Sequence, residues 1–333
     1  MLNGASPVPV NRQAWRFVFS LVAFAIYGTA GALAETYPSK MIHLIVPFAP
    51  GGLNDTAARL IQPYLEKALG QTVIVENRPA ASGVVGADAV AKATPDGHTL
   101  LMVASSYTVL PATSASLPYD SERDFAPIAL MGKNPLLFIV NEKVPVKTLG
   151  EFVTLAKANP GKFNYATPGA ATQTRLVTEL WSLRAGIKMQ HVPYRGGAPA
   201  IQAVVAGETE FTVISPLVSL PQIEAGYLRA LAVGSLARDP QMPNLPTVSE
   251  SGFPGFEAIQ WVGLLTTAGT PKEIVERLNS VVNTALKDPD LIAKLAVQGM
   301  SPAGGTSDEF KSLISTEIKN WKEAARAADI KPE

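Results

Sequence analysis

The stretch from Ile42 to Leu69 constrains the fold most, because in it a β-favouring run passes through a glycine-bearing turn into an amphipathic helix. Ile42-His43-Leu44-Ile45-Val46 is mostly apolar and is closed by Pro47, which suits a buried strand. From Thr56 onward, Ala57, Leu60, Ile61, Tyr64, Leu65 and Leu69 fall on one helical stripe, with Asn54 or Asp55 placed to cap its start. The turn between them, Phe48-Ala49-Pro50-Gly51-Gly52, contains glycines that permit positive φ and close backbone approach. A strand end, a glycine turn and a helix start gather free N–H groups and the positive end of a helix dipole, which is the physics of an anion site. The same arrangement also serves many α/β proteins simply as a tight connection. No Gly-Lys-Ser/Thr follows, so this is not a phosphate-cradling P-loop, and the expected anion is smaller than a nucleoside triphosphate. A carboxylate fits.

Strand and helix signals alternate through the rest of the chain. Strands are expected at Val73–Glu76, Leu100–Val103, Gln190–Pro193, Phe211–Ile214, Ala230–Val233 and Trp261–Thr266, with another near Asn164–Ala166. Two further apolar runs, Phe125–Met131 and Leu136–Val140, are separated by Gly132-Lys133-Asn134-Pro135. Helices are expected at Val85–Ala93, Thr148–Ala158, Thr172–Ala185, Ala198–Ala206 and Leu217–Ala225, with three more closing the chain. A proline-rich connector runs from Ser235 to Phe256. Thr270-Pro271-Lys272-Glu273 and Thr306-Ser307-Asp308-Glu309 both read as capping boxes. This alternation implies α/β architecture, with parallel sheets covered on both faces.

The N-terminus speaks to compartment. Arg12 and Arg16 precede the apolar run Phe17–Ile26, and small residues lead to Ala32-Leu33-Ala34 ahead of Glu35. The run is short for a membrane anchor and its end has the A-x-A form, so a signal peptide over 1–34, cleaved after Ala34, is expected. The 333 residues suffice for about two domains. With 28 basic and 28 acidic side chains and no basic stripe, no nucleic-acid role is expected. The absence of cysteine rules out disulfides, thiol catalysis and cysteine-held metals.

A second turn repeats the physics of the first. Tyr165-Ala166 ends a strand, Thr167-Pro168-Gly169-Ala170-Ala171 turns, and Thr172-Gln173-Thr174-Arg175 opens a helix. Arg175, one helical turn in, is placed either to reach a carboxylate bidentately or to lie solvated on the surface. Both turns would lie at the carboxyl ends of strands, where open α/β sheets bind ligands.

Catalytic constellations are missing. His43, His98 and His191 show no metal spacing, and there is no G-x-S-x-G elbow. Ser82-Gly83-Val84-Val85-Gly86 imitates half a dinucleotide fingerprint, but Ala81 stands where the first glycine belongs and no acidic residue follows at about twenty positions. An enzyme, a metal and a cofactor are therefore not expected.

Over Tyr37 to Glu333 the chain resembles the substrate-binding proteins of tripartite tricarboxylate transporters, the Bug-type periplasmic receptors. The matching stretches include Tyr37-Pro38-Ser39-Lys40, Val46–Gly52 with Asp55, Val75-Glu76-Asn77-Arg78-Pro79, and Pro95-Asp96-Gly97-His98-Thr99-Leu100. Others are His191-Val192-Pro193-Tyr194-Arg195-Gly196, Leu245-Pro246-Thr247-Val248 and Gly269-Thr270-Pro271-Lys272-Glu273. The resemblance implies a type II periplasmic-binding-protein fold, with two α/β lobes (35–135 plus 260–333, and 136–259), a hinge and a central ligand cleft. It places the crossings near Lys133–Pro135 and Ala258–Gln260. It implies a monomeric periplasmic receptor that takes a small carboxylate to membrane permease subunits, or, on the alternative reading, presents it to a sensor kinase. Ligand contacts are implied at Phe48, Ala49, Pro50, Gly51 and Gly52, and at Thr167, Gly169, Ala170 and Thr172. Asp55, Ser105, Tyr194, Arg195 and Ile214 are further candidates by similarity, and Arg175 joins them on its position.

The chain departs from that pattern where ligand chemistry is decided. Ala170-Ala171 stand where the family has Asn-Gly, Arg175 where it has histidine, and Ile214-Ser215 where it has an Asp, often followed by Asn. Without that carboxylate a ligand ammonium loses its partner. Calorimetric titration is therefore expected to give poor binding of aspartate and glutamate, with a purely anionic or aromatic carboxylate preferred; tight aspartate binding would overturn this.

Overall fold

The computed structural model describes residues 37–240, 242–327 and 330, together with Met1 and Gly4. The expected signal peptide, with Arg12, Arg16 and the Ala32-Leu33-Ala34 site, lies outside these residues. No helix among the described residues is long and apolar enough to cross a membrane.

Two mixed sheets organise the chain. The first collects β1 (Ile42–Val46), β2 (Val73–Asn77), β3 (Thr99–Ala104), β4 (Phe125–Pro135), β10 (Ile259–Thr267) and β11 (Ser301–Pro302), in the order β11-β4-β10-β3-β1-β2. The second collects β5 (Leu137–Asn141), β6 (Asn164–Thr167), β7 (Gln190–Pro193), β8 (Phe211–Ile214) and β9 (Leu228–Val233), in the order β7-β6-β8-β5-β9. Helices α1 (Leu53–Leu69), α2 (Val84–Ala91) and α3 (Ser106–Thr113) follow the first strands, and α4 (Leu149–Ala158) precedes β6. Then come α5 (Gln173–Ala185), α6 (Gly197–Ala206), α7 (Pro216–Glu224), α8 (Lys272–Ala285), α9 (Pro289–Val297) and α10 (Ser307–Ala327).

The architecture corrects the expectation of purely parallel sheets. β1 is parallel to β2 and β3, but β10 enters antiparallel between β3 and β4, and β5 runs antiparallel to both β8 and β9. A second correction concerns Gly132-Lys133-Asn134-Pro135, which is not a break. β4 runs through it, because β10 offers a partner from Phe125↔Thr267 to Pro135↔Ile259, with two register shifts that skip Ile128 and Met131. Helix α3 was not foreseen, since its SYTVLPAT sequence carries a proline and little amphipathic pattern.

Local signals fare unevenly. Thr306 and Glu309 form the expected box, with Thr306 N–H donating to Glu309 Oε2 at 2.7 Å and Glu309 N–H to Thr306 Oγ1 at 3.1 Å. The box at Thr270 does not form: the helix begins one residue later than the pattern puts it, with Pro271 at the N-cap, and the buried Thr270 hydroxyl donates to Thr267 O at 2.8 Å. Neither Asn54 nor Asp55 caps α1. Gly52 stands at the N-cap, and both side chains turn inward to other partners within the first helical turn.

The second sheet is anchored by an aromatic core of Phe138, Phe152, Trp181 and Phe211, with Trp181 stacked on Phe211 at 5.3 Å and 8°. The first is filled by Ile45, Leu101, Val103, Trp261, Leu265 and Phe310. Helix α10 serves both, since Phe310, Ile314 and Ile318 lie in the first core while Trp321 packs against the second. Its Glu317 accepts from Thr108 Oγ1 at 2.7 Å and from Trp261 Nε1 at 2.9 Å. Burial pushes that carboxyl up, and the Thr108, Trp261 and Trp321 donors hold it back.

Between the sheets, three backbone bonds lock the crossing: Leu136 N–H to Ala258 O at 2.9 Å, Gly234 N–H to Leu136 O at 2.8 Å, and Ala258 N–H to Gly234 O at 2.8 Å. A Cβ on Gly234 would fall inside contact distance of Ala258 O and lie 2.8 Å from Ala258 Cβ, and neither atom can swing away. Gly234→Ala is therefore expected to destabilise by about 1–3 kcal/mol through overpacking, read as a lowered melting temperature in calorimetry.

Candidate functional site

At the carboxyl end of β1, Ala49 to Gly52 are exposed, and Gly51 takes φ 84°, a conformation that favours glycine. Asp55 braces the turn from below. It accepts the Gly51 N–H at 2.9 Å, the Arg59 Nε at 3.0–3.1 Å and the Asn77 amide at 2.9 Å, and is only 4% exposed. Burial pushes the Asp55 carboxyl up, but the Arg59 guanidinium, the Gly51 N–H and the Asn77 amide hold it below its ordinary value. Asn77 also donates to Phe48 O at 3.1 Å. The N–H groups of Ala49, Leu53 and Asn54 meet no acceptor among the described residues.

The pseudo-fingerprint Ser82–Gly86 has a packing role here. A Cβ on Gly86 would lie 2.8 Å from Pro47 Cβ, and one on Gly83 would lie 3.2 Å from Phe48 Cζ. These glycines let α2 press against the first turn.

The second turn, after β6, repeats the pattern with different clamps. Gly169 O accepts from the Thr167 and Thr172 hydroxyls, both at 2.9 Å, and Ala170 O accepts from Arg175 Nη1 at 3.0 Å. The loop after β7 braces it, with Tyr194 N–H on Thr167 O at 2.8 Å and Gly196 N–H on Pro168 O at 3.0 Å. The N–H groups of Ala170 and Ala171 meet no acceptor among the described residues. His191 Nε2 lies 2.6 Å from Thr167 Oγ1, whose own proton is on Gly169 O, so the imidazole is the donor and carries its proton on Nε2. Burial, and then the charge of Arg175, pull the His191 pKa down to about 4, so the ring is neutral near pH 7.

The remaining expected residues fall into distinct places. The buried Ser105, at the end of β3, donates to Gln173 Oε1 at 2.6 Å, and Gln173 Nε2 donates to Ile259 O at 2.8 Å. Because β1 and β3 are parallel neighbours, this bond brings the start of α5 against the sheet edge from which the first turn emerges. Ile214 is buried in the apolar cluster with Ala166 and Ile201. Tyr194 directs its hydroxyl to Glu208 at 3.4 Å, and Arg195 is exposed. Asp55, Ser105, Thr167 and Arg175 thus spend side-chain hydrogen bonds inside the fold.

Sequence reasoning missed Asn77, Gln173, Asn134 and Ser215. Asn77 and Gln173 act through partners 29 and 68 residues away, which no local pattern encodes. Ser215 Oγ accepts from Asn134 Nδ2 at 3.0 Å and from Leu217 N–H at 3.3 Å. With both lone pairs taken, this hydroxyl presents a proton, which suits an anionic or carbonyl oxygen and not an ammonium.

Comparisons with known proteins give the chain's relatives. A family model described as tripartite tricarboxylate transporter family receptor matches residues 57–330. Protein BugT of Bordetella pertussis is 36% identical over 300 residues, covering 90% of this chain and 92% of BugT. Among solved structures, an R. palustris protein with adipate superposes with a TM-score of 0.82 at 32% identity, covering 89% of this chain and 100% of its own. MatC from Rhodopseudomonas palustris with bound malate gives 0.77 at 32%, covering 86% and 99%.

The neutral His191 makes stability depend on pH. Its folded pKa is lowered to about 4 from an unfolded value of about 6.5, so its contribution is full above about 6.5 and is lost as pH falls to about 4. Melting temperature should fall across that window, and His191→Gln should flatten that part of the curve, as followed by circular dichroism.

Proposed function

The chain belongs to the tripartite tricarboxylate transporter receptor family, and from that premise we propose that it is a periplasmic receptor for a small carboxylate, a di- or tricarboxylate or an aromatic acid. It is exported with cleavage after Ala34, acts as a monomer and delivers its ligand to the membrane permease subunits of such a transporter. The lobes are 35–135 with 260–333 and 136–259, and the ligand sits between them.

One observation carries this reading: each lobe ends a strand in a turn where side chains hold carbonyls, Phe48 O in the first and Gly169 O and Ala170 O in the second, while the N–H groups of Ala49 in the first and of Ala170 and Ala171 in the second are left without acceptors among the described residues. Donors without acceptors at a helix start suit a carboxylate. A carboxylate accepts several such bonds, each charge-assisted and worth about 1.5–3 kcal/mol net. A few of them give micromolar affinity, about −8 kcal/mol. A ligand that takes bonds from both turns binds the closed arrangement better than the open one and shifts that equilibrium toward closure. The structures solved with adipate and malate support the ligand class.

A thermal-shift screen of small carboxylates on the mature protein, followed by calorimetry of the hits, tests the proposal. Gly51 has nothing within 4 Å of its Cβ position, so Gly51→Asp and Gly51→Asn differ chiefly in charge. Relative to Gly51→Asn, Gly51→Asp is expected to weaken the best carboxylate by on the order of tenfold or more. Equal affinities for the two variants would remove the first turn from the site.

A further inference from the structure

We propose that Arg175 is a positioning residue that acts on the ligand from behind a peptide, gripping the Ala170 carbonyl so that the Ala171 N–H is aimed and strengthened as a donor. This rests on the reading of the second turn as a carboxylate site. It replaces the bidentate contact that the position of Arg175 first suggests.

Helical side chains lean toward the N-terminus, so a long residue one turn into α5 folds back over the turn it follows. The Arg175 guanidinium does this and donates to Ala170 O at 3.0 Å. Ala170 O and Ala171 N–H belong to one planar trans peptide, so they point in opposite directions. Fixing the oxygen therefore fixes the proton. A cation at the oxygen also polarises the amide, and the effect is larger in a part-buried setting than in water.

The neighbouring peptide is treated alike but without charge: Thr167 and Thr172 hold Gly169 O, and its N–H is that of Ala170. Arg175 thus brings a charged donor to the Ala170–Ala171 peptide. His191 stays neutral beside it, and the Tyr165 hydroxyl lies between the guanidinium and the Glu179 carboxylate, donating to the latter. In the first turn the corresponding clamp on Phe48 O is the uncharged Asn77 amide, and Asp55 stands beneath it. Asp55 is itself paired with Arg59, so the two turns differ in the clamp: a charged guanidinium on Ala170 O in the second, a neutral amide on Phe48 O in the first.

The test uses Arg175→Gln, which keeps a donor without charge, and Arg175→Lys, which keeps charge without the planar fork. Adipate and hexanoate, alike in carbon count but with two carboxylates and one, are titrated calorimetrically, and the Ala171 amide proton is followed by NMR in the unliganded protein. Arg175→Gln is expected to weaken both acids by the same factor, on the order of five- to tenfold, with Arg175→Lys between it and the parent. The Ala171 proton is expected to move upfield in Arg175→Gln more than that of Gly52. A loss for adipate tenfold beyond that for hexanoate, or an unmoved Ala171 proton, would overturn the proposal. If the parent protein binds neither acid nor any other carboxylate of the screen, the receptor reading fails, and the Ala171 shift alone still decides the role of Arg175.

Discussion

A peptide unit carries its acceptor and its donor on opposite sides, so a surface built to hold an anion must first dispose of the acceptors. The structure depends on meeting that constraint at both turns. Asn77 takes Phe48 O, two threonine hydroxyls take Gly169 O, and Arg175 takes Ala170 O. The donors left over are those of helix starts, which already lack partners within the helix. Asp55, the glycines of α2 and the loop after β7 hold the two turns in these shapes. On the proposed reading, the ligand's anion would meet backbone donors and not a basic side chain, which fits a chain with equal numbers of acidic and basic residues.

What could be read from sequence was local. The strand–turn–helix at Ile42–Leu69 needs only the spacing of apolar residues and the glycines, and β1 has the expected bounds. The Thr306 box likewise depends on residues three apart. At Thr270 the pattern sets the cap one residue early, since the helix has Pro271 at its N-cap. The mixed sheets were hidden for a different reason. β10 pairs with β3 across a separation of more than 150 residues, and hydrophobic periodicity does not carry the direction of such a pairing.

The site divides in the same way. The turns were legible because their donors come from backbone, which any sequence of the right flexibility supplies. The clamps were not, because Asn77, Ser105 and Gln173 find their partners through the fold. Arg175 shows the limit most clearly. Its position one turn into α5 was visible, but whether it points outward to the ligand or backward to a carbonyl is decided by side-chain direction and by Tyr165 and His191 around it. Ser215 illustrates how a hydroxyl's character is set by neighbours, since Asn134 and Leu217 consume both of its lone pairs.

The order of the chain has a consequence for biogenesis. The second sheet is drawn from one continuous run, Leu137 to Val233, while the first takes β10 and β11 from beyond Ile259 and finishes its core with α10. As the polypeptide emerges, its early strands must wait, unsatisfied along one edge, until the last quarter arrives to complete them. A chain truncated before Ser307 would strip Phe310, Ile314 and Ile318 from the first core and Trp321 from the second, and most of the newly exposed apolar surface would lie on the first, the kind of intermediate that chaperones and proteases recognise.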